Sequence, residues 1–147
     1  MNKEIETITG KLTTYTEVLV QVLDLIPDDK LDWKPFDDFR SLGEQVIHIA
    51  QTEKFYLTGI TEGQWDFHGA LMLPGEPFTK ESIKARFDVV RARTISGVDM
   101  MTEIDLERVV EIPNNPTRYS VRHWLYYLLE HLVHHKAQLS VFLRQLG

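Results

Sequence analysis

From Ser120 to Gln145 the apolar residues recur in steps of three and four, and that rhythm allows one local structure, an amphipathic α-helix. On a helical wheel Leu125, Leu128, Leu132, Leu139, Phe142, Leu143 and Leu146 fall on one broad arc. His135 lies inside that arc and His131 at its edge, with Trp124 and Gln138 on the same stripe. Glu130 and His134 point away, toward Tyr126 and Arg144. His131 and His135 are four residues apart, so their imidazoles share a face about one turn apart and offset by roughly 40°. Two imidazoles so placed can hold one metal ion. They can also be hydrogen-bonded core histidines, although two of them among apolar side chains are costly to satisfy without a partner. The helical zinc-protease motif is excluded, because Leu132 stands where that motif needs a general-base glutamate.

Three further segments carry the same periodicity. Ile5, Ile8, Leu12, Tyr15, Leu19, Val22 and Ile26 predict a helix over Asn2 to Ile26, ended by Pro27-Asp28-Asp29. Leu31 to Arg40 reads as a loop rich in aromatics (Trp33, Phe36, Phe39) that caps a core or contacts a ligand. A second helix is predicted from Ser41 to Ile60, where Ser41 and Glu44 form a capping box and Leu42, Val46, Ile49, Tyr56 and Ile60 make the buried stripe. His48 lies off that stripe, beside Gln45, Thr52 and Phe55; its register suits a boundary position or a pocket between helices. Glu62 to Phe78 is a long connection that must cross the bundle or cover one end, with Trp65 and Phe67 packed and His68 solvated. Thr79 begins a third helix, extending to Thr102 on Ile83, Phe87, Val90, Val98 and Met101. Val109, Val110 and Ile112 suit one short strand or an extended strap, Asn114-Asn115-Pro116 a turn, and Ser120 the cap of the last helix. Four such helices predict an all-α four-helix bundle in one domain, residues 1–147, with no assurance of simple up-down-up-down order.

Composition narrows the functional classes. Net charge is −6 and the pI is near 5.5, which argues against a nucleic-acid surface. The chain has no cysteine, so disulfides and thiolate metal sites are impossible and any reactive thiol must arrive with a substrate. No stretch approaches a membrane span, and the N-terminal residues lack the apolar run of a signal peptide; a cytoplasmic location is the expectation.

Several of these segments together resemble the DinB-like superfamily, also called YfiT-like metalloenzymes. The match rests on Leu31-Asp32-Trp33-Lys34-Pro35, on the run from Ser41 to Ala50 with its single His48, and above all on Glu130-His131 through His135-Lys136-Ala137-Gln138-Leu139, closing with Leu143 to Gly147. Lys136 stands where arginine is frequent in the family, a change that touches no ligand. The resemblance implies a four-helix bundle with one metal held by three histidines, which here would be His48, His131 and His135. It also implies a homodimer and a small-molecule substrate. Characterised relatives include S-transferases that use low-molecular-weight thiols and a thiol-dependent isomerase; others are described as metal-dependent hydrolases.

Three neutral imidazoles leave a tetrahedral Zn²⁺ with an open position, the mark of a catalytic site. Ni²⁺, Fe²⁺ and Co²⁺ suit the same ligands, with Zn²⁺ or Ni²⁺ the leading expectation. Such a site activates water for hydrolysis or a thiol for transfer. Glu44 and Glu53 are the candidates for orienting His48. The competing class is a non-catalytic metal- or ligand-binding bundle whose ion ties two helices together. Metal binding is expected to weaken as pH falls through the ordinary histidine range, near ~6.5.

Overall fold

Each long amphipathic run forms a helix, and the caps read from the sequence are the caps observed. The computed structural model of the chain describes residues 2–67 and 69–147; His68, expected to be solvated, lies outside the described residues. Helix α1 spans Lys3–Leu25 behind the Asn2 cap. Helix α2 spans Leu42–Glu62, starting in the Ser41–Glu44 capping box and ending at Gly63, whose φ of 70° is the left-handed conformation that glycine adopts without steric cost. Helix α3 spans Lys80–Asp99 behind the Thr79 cap. It stops short of the expected Thr102, because Thr102 and Asp105 form a new capping box that opens a short helix, α4, Glu103–Glu107. The last helix, α5, spans Val121–Leu146 behind Ser120.

Between α4 and α5 the chain makes a small hairpin. Strand β1, Val109–Glu111, pairs antiparallel with β2, Arg118–Ser120, in the register Val109 to Ser120, Val110 to Tyr119 and Glu111 to Arg118. The sequence suggested one extended segment here. Its partner is only three residues long, and its side chains are exposed or half-buried, so no apolar alternation marks it. Asn114 takes a φ of 61° in the turn, a conformation asparagine tolerates better than most residues.

Contacts between helix ends give the direction of each. Glu4 near the start of α1 bonds Arg122 near the start of α5. Lys80 at the start of α3 reaches the carbonyls of Asp24 and Ile26 at the far end of α1. Gln45 at the start of α2 meets Gln138 late in α5. Glu62 ends α2 beside Arg93 of α3. Thus α1 and α5 run one way, α2 and α3 the other. Neighbouring helices are α1 with α5, α5 with α2, α2 with α3, and α3 with α1. Because α2 and α3 are parallel neighbours, residues 63–79 must return along a helix about 30 Å long, which is why that connection is extended. It touches the bundle at intervals: Phe67, expected to be packed, is 55% exposed and meets the Phe55 ring with centroids 5.0 Å apart. Trp65 lies so close over Gly59 that a Cβ there would sit 2.4 Å from the indole, and Leu71 is buried in the core.

The core is two apolar clusters with polar residues at the level between them. On α1, Ile5, Ile8 and Leu12 belong to one cluster and Leu19, Val22 and Leu23 to the other, with Thr16 between. Helix α2 changes cluster between Ala50 and Leu57, around Glu53. Helix α3 changes between Val90 and Val98, around Arg91 and Thr94. Arg91 bonds Glu53 Oε2 at 2.8 Å and the carbonyl of Leu12 at 3.1 Å, so one guanidinium joins three helices. Both charged residues are buried, 4% exposed for Glu53 and 6% for Arg91. Burial pushes the Glu53 carboxyl up while Arg91 pulls it down, and burial pulls the Arg91 guanidinium below its usual value. Arg91→Leu should cost about 3–5 kcal/mol in urea unfolding, because it strands a buried carboxylate, and Glu53→Leu in the same chain should recover much of that loss.

Candidate metal centre

The position of His48 is set by its neighbours on α2. Leu42, Val46 and Ile49 are buried in the core and fix the rotation of the helix, which leaves His48 half-buried toward α5. On α5 the same work is done by Leu128, Leu132 and Leu139. They carry His135 inward, where it is 9% exposed, and leave His131 half-buried at the margin. The three imidazoles come together across the α2–α5 seam. One ligand atom from each lies within 4.8 Å of the other two. The ring centroids are 5.0 Å apart for His48 and His131, 4.8 Å for His48 and His135, and 4.4 Å for His131 and His135.

This donor set fits a divalent metal. His48 Nε2 and His131 Nε2 are 3.2 Å apart, close to the roughly 3.3 Å that separates two nitrogens on one tetrahedral ion with bonds of about 2.0–2.1 Å. All three rings are held neutral, the form that coordinates. Burial, then the charges of Arg40 and His135, lowers His48 to about 4. Burial, then the other histidines and Arg40, lowers His131 to about 3. His135 is lowered as well, mainly by burial, against an opposing hydrogen bond to Gln138.

Neither carboxylate expected to orient His48 does so. Glu44 is spent on the helix cap, where its Oε2 accepts from the Ser41 amide at 2.8 Å. Glu53 faces the opposite side of α2 and pairs with Arg91. The polar partners at the site are instead two amides. His135 Nδ1 lies 2.8 Å from Gln138 Oε1 and 2.6 Å from Gln45 Nε2, and Gln45 Nε2 donates to Gln138 Oε1 at 2.7 Å. Gln138 could be found in the sequence as the polar residue on the apolar stripe three positions after His135. Gln45 could not, because its burial depends on how α2 rotates against α5.

The centre opens to solvent. His48, His131 and His135 form part of the wall of a cleft of about 600 Å³, with Thr52, Tyr56, Tyr127, Glu130 and His134. Burial, then the neighbouring Tyr127, raises the Tyr56 phenol to about 12, so it remains a hydrogen-bond donor. Glu130 and His134 are exposed at the rim, as the wheel placed them, on the side away from the core. On the other flank of His48 lies a hollow of about 270 Å³, bounded by Gln51, Phe55 and the Asp66, Phe67 and Gly69 segment of the long connection.

Comparison with known proteins agrees with this architecture. The family model of the DinB superfamily matches residues 11–139, and the chain belongs to that superfamily. An uncharacterized protein of Bacillus subtilis strain 168, YjoA, is 23% identical over 147 residues, a match that covers 95% of this chain and 89% of YjoA. The crystal structure of YjoA, a DinB-like protein, superposes with a TM-score of 0.77 at 22% identity, covering 96% of this chain and 92% of that one. A DinB-like protein from Bacillus cereus ATCC 10987 superposes with a TM-score of 0.76 at 22% identity, covering 97% and 92%. Among the described residues, no helix is long and apolar enough to cross a membrane.

The lowered histidines change the pH dependence expected from ordinary imidazoles. Protons compete for a ring only near its folded-state pKa, so Zn²⁺ affinity should fall at lower pH than ordinary imidazoles would give, with the His48 and His131 contributions lost only toward pH 4. The metal-free fold has the matching sign. Its histidines bind fewer protons than the unfolded chain between about pH 6.5 and pH 4, so stability should decline as pH drops through that window. Competition titrations with a chelator, corrected for the chelator's own protonation, and thermal melts across this range check both.

Proposed function

We propose that this chain is a metal-dependent enzyme in which His48, His131 and His135 hold one divalent ion, Zn²⁺ or Ni²⁺ foremost, and the adjoining cleft receives a small-molecule substrate. The observation that carries this reading is the open cleft beside the three converging imidazoles. A purely structural ion would be expected to have its ligand shell closed by protein. Fe²⁺ and Co²⁺ are compatible with the same donors.

When bound, such an ion supplies Lewis acidity toward a thiol or a water molecule. The protein's own groups do the rest. Tyr56 and Tyr127 offer aromatic walls and a phenol donor, and Thr52 adds a hydroxyl. His134 and Glu130 line the exposed rim of the same cleft. The reaction class we assign is attack by a low-molecular-weight thiol on an electrophile, S-transferase chemistry, with hydrolysis by water as the alternative nucleophile. The chain has no cysteine, so a thiol nucleophile would come with the co-substrate.

We also propose that the chain acts as a homodimer. Val133, Ala137 and Val141 are exposed along the outer face of α5, one turn apart, a stripe suited to helix packing across a two-fold axis. Sedimentation should show a dimer at micromolar concentration, and Val141→Glu should shift it to monomer.

Elemental analysis of the purified protein should find about one divalent ion per chain. In titrations with Zn²⁺ and Ni²⁺, His135→Ala should lose most of the affinity and His134→Ala little, since the two side chains point about 100° apart around α5. Equal loss in both variants would refute the ligand assignment, and no binding by the unmodified protein would refute the metalloenzyme. Activity against thiol–electrophile pairs, with and without the ion, then separates transfer from hydrolysis and from a bundle that binds metal without catalysis.

A further inference from the structure

Gln45 is 1% exposed and Gln138 half-buried, and their amides form a three-atom contact with His135 Nδ1. The sides are 2.6 Å from Gln45 Nε2 to His135 Nδ1, 2.7 Å from Gln45 Nε2 to Gln138 Oε1, and 2.8 Å from His135 Nδ1 to Gln138 Oε1. Such a nearly equilateral triangle needs one shared atom that engages two partners roughly 60° apart, and a carbonyl oxygen, which accepts over a broad angular range, can do so. The two hydrogens of an amide nitrogen are spread about twice as wide as that. Taking Gln138 Oε1 as the shared atom makes the Gln45 amide and the Nδ1–H of His135 its two donors, and sets those two nitrogens 2.6 Å apart with no hydrogen bond between them.

We infer that Gln138 and Gln45 are positioning residues that fix His135 as an Nε2 ligand: the Gln138 carbonyl holds the proton on Nδ1, and Gln45 holds that carbonyl in place. This inference rests on the three-histidine metal reading and adds to it the source of the ring's tautomer. A ring with its proton on Nδ1 offers the Nε2 lone pair. The opposite tautomer would put a hydrogen on Nε2 and block coordination through that atom.

Burial of Gln45 has no simpler explanation on its own side chain. Among the described residues its Oε1 is buried without a hydrogen-bond partner, so the amide satisfies only one of its two ends there. The end that is satisfied is the one that orients Gln138. Without that bond the Gln138 amide could turn and present its nitrogen, a second donor, to Nδ1–H. The carboxylates that might have oriented a ligand are committed to the helix cap and to Arg91. On α5 the i+3 spacing of Gln138 from His135 keeps acceptor and ring on one face of the same helix, so the contact moves with its ligand.

Zn²⁺ affinity, measured by competition with a chromophoric chelator at constant pH, is the primary readout. Gln138→Leu should weaken binding 10- to 100-fold, Gln138→Glu should restore it, and Gln45→Leu should weaken it by a smaller factor, about threefold to tenfold. In the zinc-loaded protein, ¹⁵N NMR of the imidazoles should show His135 protonated at Nδ1. Thermal melts accompany each variant; should Gln138→Leu fail to fold, Gln138→Met carries the same test. Wild-type affinity in Gln138→Leu, no recovery in Gln138→Glu, or a zinc-loaded His135 lacking the Nδ1 proton would overturn the positioning role while leaving a His135-dependent metal site intact. Zinc binding that does not depend on His135 would instead overturn the metal reading, and this inference with it.

Discussion

The fold is organised around one buried ion pair. Arg91 reaches from α3 to Glu53 on α2 and to a backbone carbonyl on α1, at the level where the core changes from one apolar cluster to the other. Removed from water, neither charge tolerates separation from the other. A slip of α2 by one turn, about 5.4 Å, would leave both unpaired among leucines and valines. Apolar packing alone is less particular, since leucine-rich helices can exchange neighbours at modest cost. The polar level thus sets the register of three helices, and the fourth is tied at its start, where Arg122 bonds Glu4, Glu103 and Glu107.

The three-histidine cluster inherits that register. His48 is five residues before Glu53 on α2 and faces α5 while Glu53 faces α3, so the ion pair and the histidine are two sides of one rigid helix. The seam between α2 and α5 then has two different fillings. Toward the α2 N-terminus it holds amides and imidazoles; farther along it holds Tyr56 against Trp124, stacked at 4.8 Å. Burial that keeps the imidazoles neutral and aromatic packing that keeps them close arise from the same antiparallel contact.

Local chemistry was legible wherever it depended on neighbours in sequence. Ser41 and Glu44, Thr79 and Ser120 mark helix starts because a cap is satisfied within three residues. The inward turn of His135 and the outward turn of His134 follow from the 3.6-residue period of α5 alone. Glu53 is the opposite case. Its carboxylate belongs to an arginine 38 positions away, and no local pattern announces that partner. The second hairpin strand was missed because three residues carry too little alternation to be distinguished from a turn.

By itself the sequence determined that the chain would make four amphipathic helices, where each begins, and which face of the last one carries two histidines at ligand spacing. Those features are set by backbone hydrogen bonds and side-chain spacing within a few turns. Only the tertiary structure decided that α2 and α3 run parallel, that His48 comes within 3.2 Å of His131, and that Gln45 rather than a glutamate stands beside His135. Those outcomes depend on how one helix is rotated and raised against another. That choice is made by long-range pairing of buried charges and by the fit of two apolar clusters, and neither has a period in the sequence.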